Sequence, residues 1–179
     1  ECDWTERSKE NYFYFLKKFK EISKKEISCT LRLYPYKYPE KAGVPPVDKV
    51  MLMCYNLLPP LETPDKNSIL DNNELGSYLK TKRKYPLHID IALPLYSWIM
   101  VYQNHQFAKV YCDGNNRVKA IFKPLKPFWY EVMKDTVLED GFYLRMGDRI
   151  KREEITPEKI NVSIRLLKKY VSFDKNTTI

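Results

Sequence analysis

The segment VDKVMLMCYNLL, residues 47–58, is apolar along nearly its whole length. A strand with one wet face alternates. A continuous run of this kind reads instead as a strand covered on both faces, as in a parallel sheet flanked by helices. HIDIALPLYSW, residues 88–98, repeats the pattern, and both runs end in large polar-tipped residues, Tyr55 and Asn56 in one, Tyr96 and Trp98 in the other. Ahead of them, Tyr12, Phe15, Leu16, Phe19 and Ile22 recur at helical spacing between Lys and Glu residues, which predicts an amphipathic helix over 8–24. ISCTLRL, residues 27–33, alternates as a strand ending before Pro35, and the Tyr- and Pro-rich stretch 34–46 reads as irregular. NNELGSYLKTKRK, residues 72–84, is the helix expected between the two apolar runs. Strand, helix and strand in this order specify an α/β architecture with a parallel sheet.

After Trp98 the pattern becomes β-type. IMVYQNHQFAKVYC (99–112) and RVKAIF (117–122) flank the turn signal DGNN (113–116), so a hairpin is expected there. FWYEVMKDTVLEDG (128–141) reads as a short helix ending at Gly141, and GFYLRMGDRI (141–150) as a small strand. Thr156 as N-cap and Pro157 as first helical residue announce a last helix whose inner stripe is Ile160, Ile164 and Leu167. The chain opens on ECDWT, which has strand alternation, and closes on NTTI where another strand would begin. A full (β/α)8 barrel takes about 250 residues. Four or five strands of such a barrel plus an insertion fit this length, so the expected fold is α/β, one part of a larger barrel. Residues 1–179 form that part, with 99–155 a small β-rich insertion between the strand 88–96 and the following helix, and the rest of the barrel an expected partner.

Composition narrows the partners. The 31 Lys and Arg against 23 Asp and Glu give a net charge of +8. The basic runs KKFKEISKK, KTKRK and RLLKK each lie beside an apolar stripe, which describes solvated helix faces and disfavours nucleic acid as a partner. Cys2, Cys29, Cys54 and Cys112 are widely spaced and His88 and His105 stand away from them, so no metal site and no cofactor is expected, while a disulfide stays open. No apolar run reaches the roughly eighteen residues of a membrane span.

Three strand ends carry a resemblance. Glu1-Cys2-Asp3-Trp4-Thr5 with the helix behind it resembles the D-x-x-D-x-D-x-E strand of glycoside hydrolase family 18, Met53-Cys54-Tyr55-Asn56 resembles that family's M-x-Y-D, and residues 91–98, IALPLYSW, resemble its G-x-P-x-Y-G-x-x-W strand. The overall texture is similar to chitinase-like barrel proteins of Bacteroidetes, many of them envelope lipoproteins. That resemblance implies a partial (β/α)8 TIM barrel, its C-terminal part from about strand four to the start of strand eight with 88–96 as the seventh strand, together with a carbohydrate partner, a bacterial envelope or secreted location, and membrane attachment only through a lipid anchor outside this chain.

In that family the substrate's N-acetyl group is the nucleophile, a Glu protonates the leaving oxygen, and an Asp and a Tyr hold the acetamide. The resemblance maps Asp3 onto the Asp and Tyr55 onto the Tyr as catalytic candidates, with Trp98 as a sugar platform; Trp4, Thr5, Arg32, Asn56 and Tyr96 complete the candidate binding set. Thr5 stands where the acid belongs, and a hydroxyl cannot protonate a glycosidic oxygen at neutral pH. Asn56 replaces a second Asp. Glu1 shares a strand face with Asp3 and Thr5, so a Glu1–Asp3 pair is the expected substitute acid, whereas Glu6 is expected to point into the loop. The function expected is glycosidase-like carbohydrate binding at the C-terminal strand ends with hydrolysis in doubt; the alternative is a non-catalytic carbohydrate-binding or scaffold protein of the envelope. Asp90, early in its strand, reads as structural, and His88, at the strand's beginning, as a surface or edge histidine. Tyr34, Tyr36 and Tyr38 read as aromatic rings at the mouth.

Overall fold

The computed structural model describes residues 3–81, 83–112 and 120–179. The chain divides into two compact units, the first made of 1–57, 72–94 and 157–179, the second of 58–71 and 95–156. Residues 99–155 thus fall in a unit that also contains 58–71.

The first unit is built on three parallel strands, β1 (Ser28–Leu31), β2 (Lys49–Met53) and β3 (His88–Ala92), in that spatial order. Register places Leu31, Leu52 and Ile91 side by side, all buried. Helix α1 (Lys9–Ser23) precedes β1, the short helices α2 (Leu33–Lys37) and α3 (Pro39–Ala42) join β1 to β2, and α4 (Asn72–Leu79) precedes β3. Helix α5 (Pro157–Tyr170) starts at the expected Pro157 and buries Leu167, while α4 packs on both α5 and α2. The middle strand is covered as its composition requires: Val50, Leu52 and Cys54 are sealed from solvent.

The partial barrel is overturned. Three parallel strands form an open sheet with no closure, and a five-stranded antiparallel sheet holds most of the remaining strands. Residues 3–5, taken as the end of a barrel strand, form no strand, and the terminal segment adds none. Ile91 N instead donates to Thr178 O at 2.9 Å, a single ladder-like bond to β3. Alternation over five residues cannot distinguish a strand from a lead-in to a helix, and residues 3–5 are such a lead-in, to the turn before α1. The stretch 34–46 is not irregular either, because Pro35 and Pro39 sit in first helical turns, where a missing N–H costs nothing.

The second unit contains β4 (Trp98–Gln103), β5 (Gln106–Cys112), β6 (Phe122–Lys126), β7 (Trp129–Val132) and β10 (Arg149–Glu153), ordered β5-β4-β10-β7-β6 and antiparallel throughout. The ribbon of β8 (Thr136–Val137) and β9 (Tyr143–Leu144) lies beside it in sequence. Two expectations change here. The run 99–112 is itself a hairpin, turning at Asn104 and His105, both left-handed (φ 52° and 64°), the conformation of a two-residue turn that matches strand twist. The expected DGNN turn lies outside the described residues. The stretch 128–141 is strand rather than helix, because Tyr130 and Val132 alternate onto the core of Ile99, Val101, Leu138, Leu144 and Ile150.

A buried polar knot ties 58–71 to this sheet. Glu153 Oε2 accepts from Ser68 N (2.8 Å), Ser68 Oγ (2.6 Å) and Trp98 Nε1 (3.0 Å). Its other oxygen pairs with Lys151 Nζ at 2.6 Å, and Lys151 Nζ also donates to Thr63 O at 2.6 Å. Lys151, Glu153 and Ser68 are fully buried. Burying two charges is tolerable here because they pair with each other while Oε2 accepts from Ser68 and Trp98.

Cys29 and Cys54 are free and buried, and Cys112 is free and exposed on β5; Cys2 lies outside the described residues. Burial pushes the Cys29 thiol up to about 11 and the Cys54 thiol up to about 12.

Candidate functional site

The C-terminal ends of β1 and β2 are where an open parallel sheet offers a ligand crevice. Leaving β1, the backbone stays extended at Arg32 before α2 begins, so the Arg32 side chain projects from the strand end, 62% exposed. There it meets the lead-in to α1, and its Nη2 forms an ion pair with Asp3 Oδ2. Trp4 is fixed between two elements: its Nε1 donates to Ala42 O at 2.8 Å, and its ring stacks on Tyr12 at 5.7 Å and meets Phe13 edge-on at 5.5 Å. The result is a cavity of about 230 Å³ lined by Asp3, Trp4, Glu6, Arg32, Tyr34 and Lys41 among others.

Beyond Arg32 lies a second cavity of about 220 Å³, bounded by Tyr34, Met53, Tyr55, Asn56 and Tyr78. β2 ends where Cys54 N donates to Ala92 O (2.9 Å), and Asn56 then turns left-handed (φ 52°), a conformation asparagine tolerates better than most residues. Arg32 and Tyr34 border both cavities, so the two form adjacent halves of one strand-end site.

Of the sequence-predicted residues, Asp3, Trp4, Thr5, Arg32, Tyr55 and Asn56 come together here. Glu1 lies outside the described residues, so the Glu1–Asp3 acid pair has no structural account. Thr5 is occupied locally: its N–H donates to Ser8 Oγ (2.9 Å) and its Oγ1 lies 3.2 Å from the same hydroxyl, closing the turn that starts α1. Glu6, expected to point away, lines the Asp3 cavity. Tyr96 and Trp98 fall in the second unit, where their rings lie 5.7 Å apart and Trp98 is tied to Glu153. Sequence reasoning missed Lys41 and Tyr78, since neither stands in a motif; α3 and α4 deliver them by folding alone.

At the other end of β3, Asp90 is buried and accepts from Thr178 N at 2.8 Å and faces His88 Nε2 at 3.3 Å, while His88 Nδ1 lies 3.0 Å from Asp174 Oδ2. Burial opposes charge on the imidazole, but its bonds to Asp174 and Asp90 outweigh that and raise its pKa above the ordinary 6.5. Burial likewise opposes ionisation of Asp90, and the Thr178 amide and His88 outweigh it, lowering the carboxyl's pKa below 3.8. This cluster joins the terminal segment to the sheet, with Asp90 in a structural part and His88, expected at the surface or edge, bonded to both carboxylates.

Among the described residues no group of three or more His, Cys, Asp or Glu is placed to hold a metal ion, and no helix is long and apolar enough to cross a membrane. No protein-family model and no curated protein matches the sequence. Among solved structures, the fold is similar to that of a protein proposed to be a sporulation-specific glycosylase, ydhD of Bacillus subtilis, with a TM-score of 0.51 at 11% identity. The match covers 92% of this chain and 59% of that one, so the chain spans well under two thirds of the length of a structure whose fold it shares.

Proposed function

We propose that the first unit binds carbohydrate at the C-terminal ends of β1 and β2 and does not hydrolyse it. The observation that carries this reading is the pairing of a two-part, aromatic-lined cavity with a Thr5 hydroxyl bound into the turn before α1. Exposed Tyr34 offers a flat apolar face to a sugar ring, and Arg32, Tyr55 and Asn56 supply hydrogen-bonding groups around it. The fold likeness to a proposed glycosylase supports a glycosidase-like origin for this arrangement, as do the chitinase-like stretches around Asp3 and Tyr55. An envelope or secreted location belongs to the same proposal, and cell fractionation checks it.

A glycan-array screen of the full chain tests the reading. Binding to at least one glycan class is expected, reduced by Tyr34→Ala and accompanied by no release of reducing ends. Binding untouched by both Tyr34→Ala and Asp3→Ala removes the site, and turnover overturns the non-hydrolytic part.

A further inference from the structure

Arg32 is the one cationic side chain shared by the two halves of the site. A guanidinium carries five N–H donors in a planar fork, yet among the described residues the only side-chain contact of Arg32 is that of Nη2 with Asp3. The side chain borders both cavities and is 62% exposed there. Lys9 and Lys41 line the same cavity as Arg32, against the carboxylates of Asp3 and Glu6. Lys37, on α2, donates to Ser77 O at 2.9 Å and sits 5.3 Å from the Tyr78 ring that bounds the second cavity. The lining of the first cavity therefore sets three cationic side chains, Lys9, Arg32 and Lys41, against the two carboxylates of Asp3 and Glu6, although Lys9 also meets Glu10 at 3.8 Å and Asp3 neutralises part of Arg32.

We propose that the ligand is an acidic glycan, a chain containing uronic acid residues, whose carboxylate binds Arg32 while a sugar ring lies against Tyr34. This rests on the carbohydrate-binding reading above and adds the charge of the sugar. A planar fork suits a carboxylate because two parallel N–H···O bonds form at once. The aromatic walls favour a ring-borne carboxylate over a free small anion, which would leave those faces wet. In the unliganded site Asp3 occupies one arm of the fork, so Asp3 competes with the ligand instead of binding it. That reverses the role the sequence resemblance implies for Asp3.

Isothermal titration of the full chain with oligogalacturonate and with uncharged N-acetylchitooligosaccharide tests the inference. The acidic glycan is expected to bind more tightly, with affinity falling as salt rises. Arg32→Gln is expected to weaken it about ten- to hundredfold, the range of a charge-assisted hydrogen bond, and Arg32→Lys to weaken it less. Asp3→Asn is expected to tighten it, a sign opposite to that for a sugar-holding aspartate. Should Arg32→Gln fail to fold, the Asp3→Asn result decides alone. Equal binding of the two glycans, or weaker acidic-glycan binding in Asp3→Asn, overturns the acidic-sugar inference and leaves carbohydrate binding standing; failure of both glycans to bind overturns the two together.

Discussion

A threonine at the position of an expected acid does not by itself separate a dead enzyme from one using a displaced carboxyl. The bonds of Thr5 bear on its own part alone: its N–H and hydroxyl both engage Ser8 and hold the turn that launches α1. Thr5→Glu is accordingly expected to confer no glycosidase activity on chromogenic or natural glycans, and measurable turnover would contradict the assignment. The opposite regime holds at Glu153, whose carboxylate is fully buried and meets Lys151, Ser68 and Trp98. Glu153→Gln leaves Lys151 as an uncompensated buried cation, and a loss of about 3–5 kcal/mol is expected in urea unfolding. None of this was visible in the sequence. Lys151 and Glu153 stand in the unbroken charged run 151–154, which reads as a solvated strand, and their burial depends on a segment more than eighty residues earlier in the chain.

At the scale of elements, β3 and the terminal segment are joined by the Asp90–His88–Asp174 cluster, which makes that junction depend on pH. His88 has a raised pKa, so its contribution is complete below the ordinary 6.5 and is lost as pH rises through the folded value. Asp90 has a lowered pKa, so its contribution is complete above 3.8 and is lost as pH falls through its folded value. Asp174 is lowered too, chiefly by the Asn176 amide with His88 also contributing. The Thr178 and Ile91 amides are expected to be best protected from hydrogen exchange between about pH 4 and 6.5, once intrinsic exchange rates are allowed for. His88→Gln should flatten the alkaline side alone. The helices show which signals carry and which do not. Pro157 fixed the start of α5, because a missing N–H fits only there. The stripe of α1 gave the helix but not its burial: only Leu16 is buried, while Phe15 and Phe19 stack 5.8 Å apart at 56% and 48% exposure and Ile22 is 81% exposed. Periodicity reports which residues share a face, and tertiary packing decides which faces are covered.

In the molecule as a whole, the parallel strands and their helices were legible because the run around β2 is nearly continuously apolar and Ile89 and Ile91 line one face of β3, whereas the closure inferred from them was not, since local pattern contains no information on how many strands a sheet recruits. The second unit is assembled from two separate stretches, 58–71 and 95–156. An excised 95–156 fragment lacks Ser68 and the Thr63 carbonyl, and so loses partners of both buried charges. It is expected to melt without a cooperative transition, whereas a 58–156 fragment should retain one; equal melts would show that the first stretch contributes nothing. The cysteines have a practical consequence on the same scale. With Cys29 and Cys54 sealed in the first unit and their thiols held protonated at neutral pH, replacing Cys2 by serine leaves Cys112 as the thiol open to maleimide. A single fluorophore on the outer strand of the antiparallel sheet would then report motions of the second unit while glycan is titrated into the first.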